Sequence, residues 1–145
     1  MEKPRLRILL AVLATAIVLP VLGNWIRRSG EAGCALDGQR IDPYFRVRIM
    51  NQDQRTNEFC CIRCAELWLD EQPARIQTIL VTDEASGQEI PASSAFFVRN
   101  LVVTMKSTGN RVHVFRDQSA AENNARMFRG TLLSGGERPF ARCIK

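Results

Sequence analysis

Two stretches of this chain carry the same order of hydrophobic periods, and that doubled order limits the fold more than any single motif. In the first, residues 45–82, FRVRIM alternates apolar and charged residues in the manner of a half-buried strand. NQDQ supplies turn chemistry, and RTNEF returns as the second strand of a hairpin. From Cys61 the apolar spacing changes to threes and fours through Ile62, Ala65, Trp68 and Leu69, a helical spacing that Pro73 ends. RIQTILVTD then reads as a β-branched strand, with DEASGQ as the glycine-containing turn after it. The second stretch, residues 95–133, repeats the order with AFFVRNLVVTM, KSTGN, RVHVFRD and SAAENNARMF. In its helix Ser119 and Glu122 stand at the spacing of a capping box, Gly130 terminates it, and TLL closes as a short strand. The expected fold class is α+β, two small ββαβ units after an N-terminal anchor helix. Units of about forty residues are marginal alone, so the two are expected to pack together.

The N-terminus sets the compartment. MEKPRLR places Lys3, Arg5 and Arg7 ahead of an uncharged run from Ile8 to Gly23. Such a run is either a signal anchor that spans a bilayer with Arg7 snorkelling, or a secretory signal peptide cut near Pro20. Arg27 and Arg28 directly after it favour the anchor. AGC at Cys34 does not serve as a lipoprotein site, because Glu31 stands where an apolar residue belongs. Both readings put residues 29–145 outside the cytoplasm, in the periplasm for an inner-membrane protein with one span. The expected organisation is a signal segment over 1–28, a linker and first unit over 29–83, a second unit over 84–134, and a loose C-terminal tail over 135–145.

Charge and motifs exclude several functions. The net charge is +5, but 17 of the 20 basic residues are arginines scattered along the chain, without the basic aromatic-interleaved block of a nucleic-acid binder. With a single histidine, no Ser/His/Asp set assembles, the carboxylates share no helix face, and SGG lacks the strand and helix of a phosphate loop. The chain does not read as an enzyme.

The cysteines carry the remaining chemistry. FCCIRCAELWL gathers Cys60, Cys61 and Cys64 where a strand gives way to a helix, and Cys34 and Cys143 complete the five. Three readings stand. Cys61 and Cys64 form a CxxC, which at a helix N-terminus beside Arg63 suits thiol–disulfide exchange. Alternatively, Cys60 or Cys64 pairs with Cys34 as a structural staple, a loop of about 25 residues worth roughly 3 kcal/mol. In the third, the thiolates bind metal. Cys60 and Cys64 then share a helix face while Cys61 points about 100° away, so one of the adjacent pair is a bystander and Cys34 is the distant partner. Soft sulfur donors select Cu(I), or zinc in a four-thiolate or mixed site.

The upstream cysteine followed by FCCIRCAELW is similar to a TRASH/YHS-type metal-binding segment. More of the chain, roughly residues 34–133, resembles the nitrous-oxide-reductase accessory (NosL-like) family. CALDGQRIDPYFRVRIM resembles that family's CxxCGM opening, Asp-Pro and first strand, and Cys64 stands where its helix-start cysteine stands. VTDEASGQEIPASSAFFV and VHVFRDQSAAENNARMFRGTLL are similar to its later segments, with Met105 at the place of a family methionine. The resemblance implies an exported, membrane-attached protein of two ββαβ units that binds Cu(I) for assembly of a copper enzyme, with an apoenzyme or other copper-handling protein as its partner. The opening departs from the pattern. Only Cys34 and Gly38 match, with Asp37 in place of the second cysteine and Gln39 in place of the methionine, both hard oxygen donors poor for Cu(I). The expected metal ligands are therefore Cys34, Cys64, one of Cys60 and Cys61, and the thioether of Met105, for which packing at a strand end is the alternative. Met50 reads as core. His113, on the strand face opposite Val112 and Val114, reads as a surface or hydrogen-bonded residue, and nothing fixes the role of Cys143.

Overall fold

The computed structural model describes residues 33–71 and 76–143. The anchor expected over 1–28, and Pro73, lie outside the described residues, among which no helix is long and apolar enough to cross a membrane.

Residues from Gly33 onward form one unit of mixed α+β structure. The hairpin β1 (Val47–Asn51) and β2 (Thr56–Phe59) leads into α1 (Ile62–Glu71) and then β3 (Ile76–Thr82) and β4 (Glu89–Pro91). A second hairpin, β5 (Phe96–Arg99) and β6 (Val112–Phe115), is followed by α2 (Gln118–Met127) and β7 (Thr131–Leu132). The sheets are antiparallel, ordered β2-β1-β3-β4 and β6-β5-β7. In each the first strand is central and the strand after the helix returns to its free edge, so the ββαβ order recurs in three dimensions. The added strand is β4, whose three residues carry too little periodicity to be read from the sequence.

Alternation decides what each face meets. On β1, Val47 and Ile49 are buried against Phe59, Ile79 and Val81, together with Ile62, Ala65 and Trp68 of α1. Phe59 and Trp68 pack with ring centroids 5.4 Å apart. On the other face Arg48 bonds Glu58 at 3.4 Å and Glu89 at 2.8 Å, and Arg46 pairs with Glu89 at 3.0 Å. Met50, expected in the core, lies on this polar face because it is one residue out of phase with Ile49. Phe97 and Val114 of the second sheet join the same core. The opposite face of that sheet carries Val98 and Phe115 onto Ala121 of α2.

Three further expectations fail for local reasons. AFFVRNLVVTM is a strand only as far as Arg99. Asn100 is buried, donates to Asn124 Oδ1 at 2.8 Å and accepts the Val102 N–H at 2.7 Å, which turns the chain outward and leaves Leu101–Val103 exposed. Next, α2 starts after Asp117 rather than at a Ser119 capping box, and Glu122 accepts from the Gln118 amide instead. At its end the left-handed residue is Arg129 (φ 51°), while Gly130 is required for space, since a Cβ there would lie 2.7 Å from Asn100 Cβ. Last, the C-terminal segment is docked. Phe140 is buried in the main core, and Arg138 donates to the carbonyls of Ala92, Ser93 and Ala95 and lies over the Phe97 ring.

Candidate metal centre

Two short segments build the site. The first is the turn 34–39. Its Gly38 N–H donates to the Cys34 carbonyl and its Cys34 N–H to the Gln39 carbonyl, closing a tight loop. Gly38 takes a φ of +69°, which a side chain would oppose, and a Cβ on Gly33 would press within 2.9 Å of the Gly38 carbonyl oxygen. The Ala35 N–H donates to the Glu58 carbonyl at 2.8 Å, which hangs the loop on the end of β2. The second segment is the bend where β2 passes into α1. Cys60 and Cys61 lie in the bend, and Cys64 stands in the first turn of the helix.

The hydrogen bond from Ala35 to Glu58 brings the two segments together. Cys34 Sγ, Cys60 Sγ, Cys64 Sγ and a carboxylate oxygen of Asp37 all lie within 4.8 Å of one another, and this is the one such group among the described residues. Cys60 and Cys64 sulfurs are 3.5 Å apart, and Cys64 Sγ lies 3.6 Å from Asp37 Oδ2. The three cysteines are buried in the main core while Asp37 is exposed. A tetrahedral ion with sulfur ligands at about 2.3 Å needs edges of about 3.8 Å between sulfurs, so this spacing suits a single ion.

Other cysteines lie outside the group. Cys61 is buried too, but its sulfur turns to Thr108 Oγ1 at 3.3 Å, with Cys60 Sγ at 4.0 Å. Of the adjacent pair, Cys60 faces the cluster and Cys61 the loop after β5. Met105 is half-buried in that loop, in an isolated bridge with Asn110, and packs on the core. Cys143 is exposed and lines a crevice of about 510 Å³ between α1 and the C-terminal segment. His113 is buried away from the group, held between Glu84 Oε2 at 2.8 Å and the Val102 carbonyl at 3.2 Å. Asp37 is the member of the group that sequence reasoning had set aside. The signal for it was present in the spacing, since it occupies the second-cysteine slot of a CxxC-type turn.

Burial governs the charge state of the sulfurs. It pushes the Cys60 thiol up to about 12, helped by the neighbouring Cys61, and raises Cys64 as well. The first turn of α1 favours a thiolate at Cys64, but burial outweighs that pull. For Asp37 burial works against the charge, yet hydrogen bonds from the Cys34 and Cys64 thiols and the Gln39 N–H hold its carboxyl below the usual carboxylate range. The arrangement thus sets two protonated soft donors, Cys60 and Cys64, beside the Cys34 sulfur and one anionic oxygen. It can capture a thiophilic cation in exchange for protons.

No protein-family model matches the chain, the TRASH/YHS type included, and no curated protein matches it. Among solved structures it is similar to the crystal structure of the copper chaperone NosL from Shewanella denitrificans, with a TM-score of 0.60 and 19% identity over 70% of this chain and 84% of that one. At that identity the likeness speaks for the fold alone, and the fold of this chain is NosL-like.

Proposed function

We propose that this protein is a metal-binding accessory protein that takes Cu(I) on the thiolates of Cys34, Cys60 and Cys64 and passes it to a copper-handling partner. The observation that carries the reading is the convergence of three buried sulfurs from two segments far apart in sequence, at the spacing of one ion's ligands. Three soft donors suit Cu(I), and the fold is shared with a protein described as a copper chaperone. The basic N-terminus and apolar run support attachment to a membrane, with the described unit on the periplasmic side. A thiol oxidoreductase fits less well. Its CxxC pair would be Cys61 and Cys64, but Cys61 Sγ turns to Thr108 Oγ1 at 3.3 Å while Cys64 joins the cluster, where burial pushes its thiol up rather than down as exchange requires.

The test is Cu(I) titration of the reduced full-length chain against a Cu(I)-specific chelator. The expected stoichiometry is about one ion per chain, lost in Cys34→Ala and Cys64→Ala and kept in Cys143→Ser. Unchanged binding in both alanine variants would refute the site. A stapled module would instead show few titratable thiols before reduction and a large loss of stability after it.

A further inference from the structure

The metal reading above leaves open which ions the cluster distinguishes, and Asp37 bears on that. It is the one oxygen donor in the group and its one exposed member. Its two oxygens are divided. Oδ1 accepts the Gln39 N–H at 3.1 Å, which fixes the side chain, and Oδ2 is turned to Cys64 Sγ at 3.6 Å. That second distance is about the oxygen–sulfur edge of a tetrahedron with Zn–S near 2.3 Å and Zn–O near 2.1 Å. Gly38 in the left-handed region lets the loop hold this pose. A carboxylate contributes little to Cu(I), which three thiolates satisfy, and much to a borderline divalent ion that prefers four ligands. Its extra negative charge is also better matched by a divalent than by a monovalent ion.

We propose that Asp37 makes this cluster a four-coordinate, three-sulfur one-oxygen site for a borderline divalent cation of the zinc class, besides the Cu(I) held by the thiolates alone. Asp37 is the ligand that tells the two ions apart. Binding changes no oxidation state. Each thiol that ligates gives its proton to solvent, and the carboxylate adds its Oδ2 lone pair without losing a proton.

The inference rests on the proposed three-thiolate site and is tested on the reduced full-length chain. Zn²⁺ is titrated against a chromophoric chelator and Cu(I) against its own, in the wild type, Asp37→Asn and Asp37→Ala. The asparagine variant retains an oxygen for the Gln39 N–H, so it separates the ligand from the loop. The wild type is expected to bind one Zn²⁺. Loss of a direct ligand should cost at least what loss of an outer-shell partner costs, so both variants weaken Zn²⁺ by at least about tenfold and leave Cu(I) affinity unchanged. Co²⁺ used as a spectroscopic probe should give tetrahedral ligand-field bands in the wild type that shift in Asp37→Asn. Failure of the wild type to bind Zn²⁺ overturns the inference, as do wild-type Zn²⁺ affinity in both variants or equal weakening of both ions. Any of these with Cu(I) binding intact spares the three-thiolate reading. That reading falls separately if Cu(I) affinity survives Cys34→Ala and Cys64→Ala.

Discussion

At the scale of single residues, the site turns on which sulfurs are buried together and what that does to their protons. Burial raises Cys60 to about 12 and also raises Cys64, so both are thiols at neutral pH and a metal must displace their protons. Each displaced proton makes conditional affinity rise about tenfold per pH unit. From these two thiols alone, Cu(I) affinity is expected to climb at least about a hundredfold per pH unit between about pH 6 and pH 8. Competition titrations across that range check it, and a flat profile would mean that the sulfurs are already ionised or are not ligands. The residue scale is also where sequence reading reached its limit. Donor softness taken residue by residue makes Asp37 a lost ligand, whereas its carboxylate stands at the cluster's corner. Cys60 and Cys61 were indistinguishable, because the bend between β2 and α1 decides which one faces Cys34.

Among the elements, the period of the hydrophobic pattern was a sound guide where a segment had one clear period. Both hairpins, both helices and both returning strands follow it. It failed where one polar side chain overrode a run of β-branched residues. In AFFVRNLVVTM the apolar pattern continues past Asn100, yet the buried amide captures the Val102 N–H and bonds α2, and the strand ends. The loop released there is held by His113, whose two ring nitrogens meet a carboxylate and a carbonyl. An ionised carboxylate and a carbonyl only accept, so the pocket favours the imidazolium, in which both ring nitrogens donate. Burial lowers its pKa, but the Glu84 carboxylate and the Val102 carbonyl together raise it above the ordinary histidine value. A raised folded-state pKa stabilises fully below the unfolded value of about 6.5 and ceases to do so as pH rises through the folded one. Glu84→Gln should therefore cost about 3 kcal/mol near pH 6, and the gap to wild type should narrow at alkaline pH. Urea unfolding at both pH values measures it, and a gap independent of pH would show that the ring is neutral in the fold.

For the whole molecule, the main core joins parts of the chain that no local pattern connects. The C-terminal segment shows this most clearly. SGGERPFARCIK has no period, yet Phe140 enters the core, its N–H donates to Glu66 Oε1 at 3.3 Å, and Arg142 bridges Asp70 at 2.8 Å. The exposed Arg142–Asp70 pair adds little, so the segment is held by Phe140 and by Arg138. Phe140→Ala is expected to destabilise the protein by about 3 kcal/mol in chemical unfolding. A loss below about 0.5 kcal/mol, the scale of a surface substitution, would make the segment an ornament on the fold.

The sequence by itself determined the order and type of the two hairpins, the two helices and the returning strands, though not β4, and the presence of a thiol-rich turn at the head of α1. Periodicity, turn residues and cysteine spacing act over a few neighbouring positions, and they were enough for that. Only the tertiary structure decided that Cys60 rather than Cys61 joins Cys34 and Cys64, that Asp37 stands with them, and that Cys61 faces Thr108 instead. Those outcomes depend on the pairing of distant segments, above all on the Ala35 N–H meeting the Glu58 carbonyl at the end of β2. A hydrogen bond between backbone atoms leaves no mark on side-chain identity.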